Sequence, residues 1–162
     1  IYVNVQTKPI LMTAAEVWFL RAEAALRGWT TEDPGICYEQ GIRCSFSQWQ
    51  VPGVETYLQS DCRAADFEDA FTPGNNIKAR CLVTPRWDDA ASDEMKLERI
   101  ITQKWLAVFP EGCEAWAEQR RTGYPRLFPV RYNNSRNGCG DTEKMIRRLS
   151  YPSSIFDSDN GQ

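Results

Sequence analysis

The 162-residue sequence contains no histidine. A Cys-His or Ser-His-Asp nucleophile is therefore excluded within the chain, since both need an imidazole base. The six cysteines (Cys37, Cys44, Cys62, Cys81, Cys113 and Cys139) include no Cys-x-x-Cys pair. With neither that spacing nor histidine, zinc has no ligand set, and no metal or other cofactor is expected. No apolar run approaches the roughly 20 residues that span a bilayer, and no signal-peptide pattern opens the chain. A basic excess is missing too: 19 Lys and Arg face 22 Asp and Glu, for a net charge of −3. Nucleic acid, which is held by a positive footprint, is not an expected partner.

Aromatic residues are abundant, with six Trp, six Tyr and seven Phe. They argue against disorder and suit a dense core or stacking contacts. A chain of this size buries roughly 70% of its unfolded surface, enough for one domain. The opening "IYVNVQTKPILMTAAEV" reads as an extended segment entering a helix, so a piece of a longer protein is expected. Cys37 and Cys44 share one predicted helix, about 10 Å apart at 1.5 Å per residue, too far to bridge. Free, partly buried thiols are expected, and long-range disulfides stay open for an extracytoplasmic protein.

The clearest predicted helix runs from Thr13 to Arg27. Thr13 and Glu16 form a capping box, and Gly28 stands where the helix stops. Glu16, Glu23 and Arg27 fall within about 40° on the helical wheel, with Glu23 and Arg27 spaced to pair. Nearly everything else is small or apolar, so the helix must pack on several sides. Arg21, near the opposite face, is expected to be buried and paired. Asp33 and Pro34 then offer an N-cap and a first helical residue, and Tyr38, Ile42, Phe46 and Trp49 recur at helical spacing. The two helices make an αα-hairpin over about 13–50, a unit of helical repeats.

"VETYLQS" predicts one or two helical turns, and the chain then becomes irregular over about 59–92, with a turn at Pro73-Gly74-Asn75-Asn76. Within this excursion "IKARCLVT" alternates Ile77, Ala79, Cys81 and Val83 with mostly polar neighbours, which predicts a strand. So long an excursion in a helical protein is usually functional or docked on another element. Helices are predicted over about 92–122. The first carries the stripe Leu97, Ile100, Ile101, Trp105 and Val108 and is ended by Pro110; the second runs from about Glu111 to Arg121. The tail, 123–162, is punctuated by Pro, Gly and Asn and is expected to wrap over the helices. The expected fold is mostly α with little β.

"QRRTGYP" places Arg120 and Arg121 in a last helical turn, where cations gain about 0.3–1 kcal/mol from the dipole. Gly123 is a left-handed cap and Pro125 blocks continuation. Arg120 lies four residues after Trp116, within stacking reach. Phosphate prefers a helix N-terminus, so the arginine pair reads as structural. One of the two is expected to pair with Glu16, Glu23 or Glu118.

The carboxylate pairs Glu16/Glu23 and Asp88/Asp89 invite a glycosidase reading, but that chemistry is defined by their separation. No catalytic residue is assigned. "DSDNG" near the end misplaces the glycine of a calcium loop and lacks its distal Glu, so it reads as a polar tail. Trp29, Trp49, Trp87, Tyr124 and Tyr132 lie at predicted helix ends or in loops, where an exposed ring stacks on a sugar and a tucked one completes the edge of the core. Trp87 is the foremost ligand-binding candidate, followed by Tyr132 and Asn133; Asn133-Asn134-Ser135 is also a glycosylation sequon.

Four ordered segments, "LMTAAEVWFLRAEAALRGW", "YEQGIRCSF", "LERIITQKWLAVFPEGCEAWAEQRRTGYPRLFPV" and "IRRLSYP", carry a family resemblance. They resemble the C-terminal part of the SusD/RagB family, nutrient-binding outer-membrane lipoproteins of Bacteroidetes, in its SusD-like subgroup. The resemblance implies a tetratricopeptide-like hairpin scaffold with loop-rich excursions. Residues 1–162 would be the C-terminal portion of a single SusD-like domain, a fragment of a larger all-α fold. It further implies a surface protein, lipid-anchored upstream of this chain, that binds glycan or oligopeptide without catalysis. The ligand would pass to a SusC-like TonB-dependent transporter. The rival readings are a helical-repeat scaffold for protein contact and a glycoside hydrolase. The six cysteines depart from the family's usual composition.

Overall fold

The computed structural model describes residues 9–130, 146–149 and 151. Among them are five α-helices: α1 (Ala14–Leu26), α2 (Pro34–Trp49), α3 (Val54–Leu58), α4 (Asp93–Ala107) and α5 (Gly112–Thr122), with a 3-10 turn at Pro73–Asn75. Each long helix starts where a side chain can take an orphaned amide. Thr13 Oγ1 accepts from Glu16 N at 3.0 Å and Asp33 Oδ1 from Ile36 N at 2.8 Å. Ser92 Oγ accepts from Met95 N at 3.4 Å. At the far end of α5, Gly123 takes φ +81° and its N–H donates to Gln119 O at 2.8 Å. This is the left-handed stop that an L side chain resists.

The chain divides into two compact units, residues 1–65 with 79–127, and residues 66–78 with 128–162. In the first, α1 packs chiefly on α2 and then on α4. Ala15, Phe19, Ala22, Tyr38, Ile42, Leu58, Ile100, Ile101 and Ala107 form the core. The Phe19 ring lies so close to Gly41 that a Cβ there would sit 2.8 Å from two ring carbons. That glycine lets α1 and α2 approach. Tyr38, fully buried, donates its hydroxyl to Pro85 O at 2.7 Å, and burial pushes the phenol well above its ordinary range. This bond fixes the end of the excursion against α2.

In the second unit, Phe67 and Ile77 exchange backbone hydrogen bonds of 2.9 and 3.0 Å, an isolated antiparallel bridge. The Phe67 and Phe128 rings lie 6.4 Å apart.

Two expectations are corrected. "IKARCLVT" does not form a strand: beyond Ile77 its backbone finds no partner strand among the described residues. Its alternation instead buries Cys81 and Val83, and Cys81 Sγ lies 3.9 Å from Thr102 Oγ1 of α4. Arg21 is paired but not buried, with 41% of its side chain exposed. It stacks on Trp18 at 3.7 Å and bonds Glu32, Nε to Oε1 at 3.1 Å, so its charge stays in water while its stem covers the indole. Cys37, Cys44, Cys62, Cys81 and Cys113 are free thiols; Cys139 lies outside the described residues.

Candidate functional site

The helices meet along an ionic seam. Lys104 of α4 is almost wholly buried, with Nζ 2.9 Å from Glu114, 3.2 Å from Glu118 and 3.8 Å from Glu16. Arg121 continues the seam, reaching Glu23 at 2.6 Å and Glu118 at 2.7 Å, and Arg27 joins Glu23 at 2.8 Å. Burial pushes the Glu16 carboxyl above its ordinary value, against the pull of Lys104. Burial acts the same way on Glu23, but hydrogen bonds from Arg121 and Arg27 outweigh it and hold that carboxyl below the ordinary value. The hydrogen bond to Glu23 in turn holds the Arg121 guanidinium above its usual range.

Glu16, Glu23 and Arg121 therefore meet in one network that ties α1, α4 and α5. Arg120 stands apart with its guanidinium 4.7 Å from the Trp116 ring centre. Every seam carboxylate named here faces a cation, which suits a brace between helices. Lys104 escaped the sequence reading, although a lysine inside the stripe Ile100-Ile101-Trp105 was the available signal. A second polar contact ties the exit chain to α4: Tyr124 donates to Glu94, and that bond raises the phenol.

Trp87 is half-buried rather than freely presented. Its ring centre lies 5.1 Å from that of Tyr38, its Nε1 donates to Asp89 at 2.8 Å, and the indole covers Gly35. Tyr132 and Asn133 lie outside the described residues. Of the other aromatic candidates, Tyr124 is buried and Trp29 is exposed beside Arg27. Trp49 lines a groove of about 510 Å³ with Trp105, Leu106, Phe109 and Ala115. A smaller cavity of about 240 Å³ shares Trp49 and Leu106 and runs on past Phe46, Val51 and Tyr57. The groove is mainly apolar, so it suits hydrocarbon side chains better than a hydroxyl-rich ligand.

In the second unit, the 66–78 loop carries Phe71 at 96% exposure, which sequence reasoning also missed. Among the described residues, no cluster of three or more Cys, Asp or Glu is placed to hold a metal ion.

In the first unit, a helical hairpin braced by a third long helix makes a mostly α scaffold. The chain belongs to the SusD-like family of SusD and RagB outer-membrane lipoproteins, whose model matches residues 1–162. Among solved structures, a chitin-binding SusD homolog from Flavobacterium johnsoniae is 48% identical, with a TM-score of 0.83 over 93% of this chain and 32% of that one. A SusD homolog from Bacteroides vulgatus is 50% identical, with a TM-score of 0.86 over 99% and 32%. One from Bacteroides thetaiotaomicron is 39% identical, with a TM-score of 0.87 over 98% and 33%. The chain thus spans about a third of the length of these relatives. Among curated proteins, none matches.

Proposed function

We propose that this chain is part of a non-catalytic, surface-exposed glycan-binding lipoprotein that hands its ligand to a SusC-like TonB-dependent transporter. The observation that carries the reading is the family match along the whole chain, supported by 48% identity to a homolog that binds chitin. An oligosaccharide is met by aromatic stacking and by hydrogen bonds from loop amides and carboxylates. A lipid anchor upstream of these residues would keep the protein at the outer membrane.

Calorimetry on the full-length polypeptide, with chito-oligosaccharides and a panel of other glycans and peptides, tests this. Saturable binding without turnover is expected. Hydrolysis of a bound oligosaccharide would replace the reading with a glycosidase, and transporter capture with no small-ligand binding would favour a purely protein-contact scaffold.

A further inference from the structure

The 66–78 loop uses much of its polar chemistry on its own shape. Its stem is closed by the Phe67–Ile77 bridge and by Lys78, whose Nζ lies 2.5 Å from Asp66. At the tip, Asp69 is a hub. Its Oδ1 accepts from Phe71 N at 2.8 Å and from Thr72 N at 2.9 Å, and its Oδ2 accepts from Asn75 Nδ2 at 2.8 Å. Asn76 Oδ1 accepts from Asp69 N at 2.9 Å, and Pro73 opens the 3-10 turn between them. The backbone of Phe71 is therefore fixed from both sides, yet its ring is 96% exposed. A loop ordered only for its own stability gains by burying that ring or by placing a polar residue there.

We propose that Phe71 is a stacking platform for one sugar ring of the bound glycan, an inference that rests on the glycan-binding reading above. A pyranose presents an apolar C–H face and a rim of hydroxyls, so it needs one aromatic face with polar groups close by. Thr72, next to Phe71, and Glu68 and Asn76 elsewhere in the loop are exposed and supply hydroxyl, carboxylate and amide. The cleft at the stem, about 120 Å³ between Asp66, Phe67, Glu68, Asn76, Ile77 and Lys78, is too small for a ring and takes at most an exocyclic substituent. A protein hot spot instead calls for an anchor inside a well-packed apolar patch. Pro73, Gly74 and Asn76, which follow Phe71 at the tip, supply no such patch. Fixing the backbone that carries the ring in advance removes part of the ordering cost of binding.

The test is calorimetry on full-length Phe71→Ala and Phe71→Trp proteins with chito-oligosaccharides and the glycan bound best by wild type. Phe71→Ala is expected to bind at least tenfold more weakly with an unchanged Tm, while Phe71→Trp keeps or improves affinity. Wild-type affinity in Phe71→Ala would overturn the platform and leave the glycan-binding reading standing. A fall in Tm for both variants would show a packing role, and loss of transporter capture at full glycan affinity a protein contact; either overturns it. If wild type binds no glycan, the underlying reading fails and the platform with it.

Discussion

Lys104 is the residue on which the interior most depends. Its ammonium is nearly without water and faces Glu16, Glu114 and Glu118. Replacing it with methionine keeps the stem but leaves buried Glu16 and Glu118 without that cation, so Lys104→Met is expected to lose about 3–5 kcal/mol by chemical denaturation. Glu98 is the opposite case. It is buried, its Oε1 accepts no hydrogen bond, and Arg126 Nε stands 3.5 Å away. Burial, only partly offset by Arg126, pushes this carboxyl up. A folded-state value above the unfolded one means that the fold gains from the protonated form at low pH and loses that gain as pH rises from the ordinary value of 4.5 through the raised one. Glu98→Gln is therefore expected to be more stable than wild type at pH 7, with the difference vanishing below about pH 4 as both side chains become neutral. A pH series of urea midpoints checks this; a Gln variant less stable at pH 7 would show that the pair with Arg126 outweighs the burial cost.

At the scale of elements, α1 and α2 fit closely where Gly41 meets Phe19. An alanine gains helix propensity of about 1 kcal/mol, but its Cβ would stand 2.8 Å from a ring that is itself buried. Overpacking costs about 1–3 kcal/mol, so Gly41→Ala is expected to lower Tm by several degrees, whereas Gly74→Ala, which meets nothing within 4 Å, leaves it unchanged. Phe19→Leu in the same chain should recover part of the loss, a coupling that a double-mutant cycle measures. The helices were legible because their punctuation is local: Thr13, Asp33, Ser92 and Gly123 act within three or four residues of themselves. The false strand was not, because alternation reports which side chains are buried and says nothing about a partner backbone. The partial cover of Trp87 was not legible for the same reason, since it comes from Gly35 and Tyr38, about fifty residues earlier in the sequence. Phe71 was invisible until Asp69 and Asn76 were seen to fold the loop around it.

At the scale of the whole molecule, apolar surface remains in quantity on the elements that make the first unit. Val17 and Leu20 stay exposed on α1, the helix whose composition asked for partners on several faces, and Leu106 and Phe109 stay exposed along the aromatic groove. Relatives of this family run to about three times the length. The described residues of the first unit hold a modest core and the ionic seam, and open apolar faces contribute nothing to stability until something covers them. Mesophilic domains usually melt at about 45–65 °C. The isolated 162-residue chain is expected to melt at or below about 45 °C, with a broad transition and dye binding to exposed apolar surface. Leu106→Asp should lower that melt only a little, because half of Leu106 already faces water in the isolated chain and an acid in the last turn of α4 opposes the helix dipole by less than about 1 kcal/mol. In the full-length polypeptide, the same substitution reads whether the groove is covered. A loss several degrees larger than in the isolated chain means that another segment packs on Trp49, Leu106 and Phe109, and a loss no larger means that the groove is open. Cooperative unfolding of the isolated chain above about 65 °C would contradict the expectation and show that the seam and core suffice without cover.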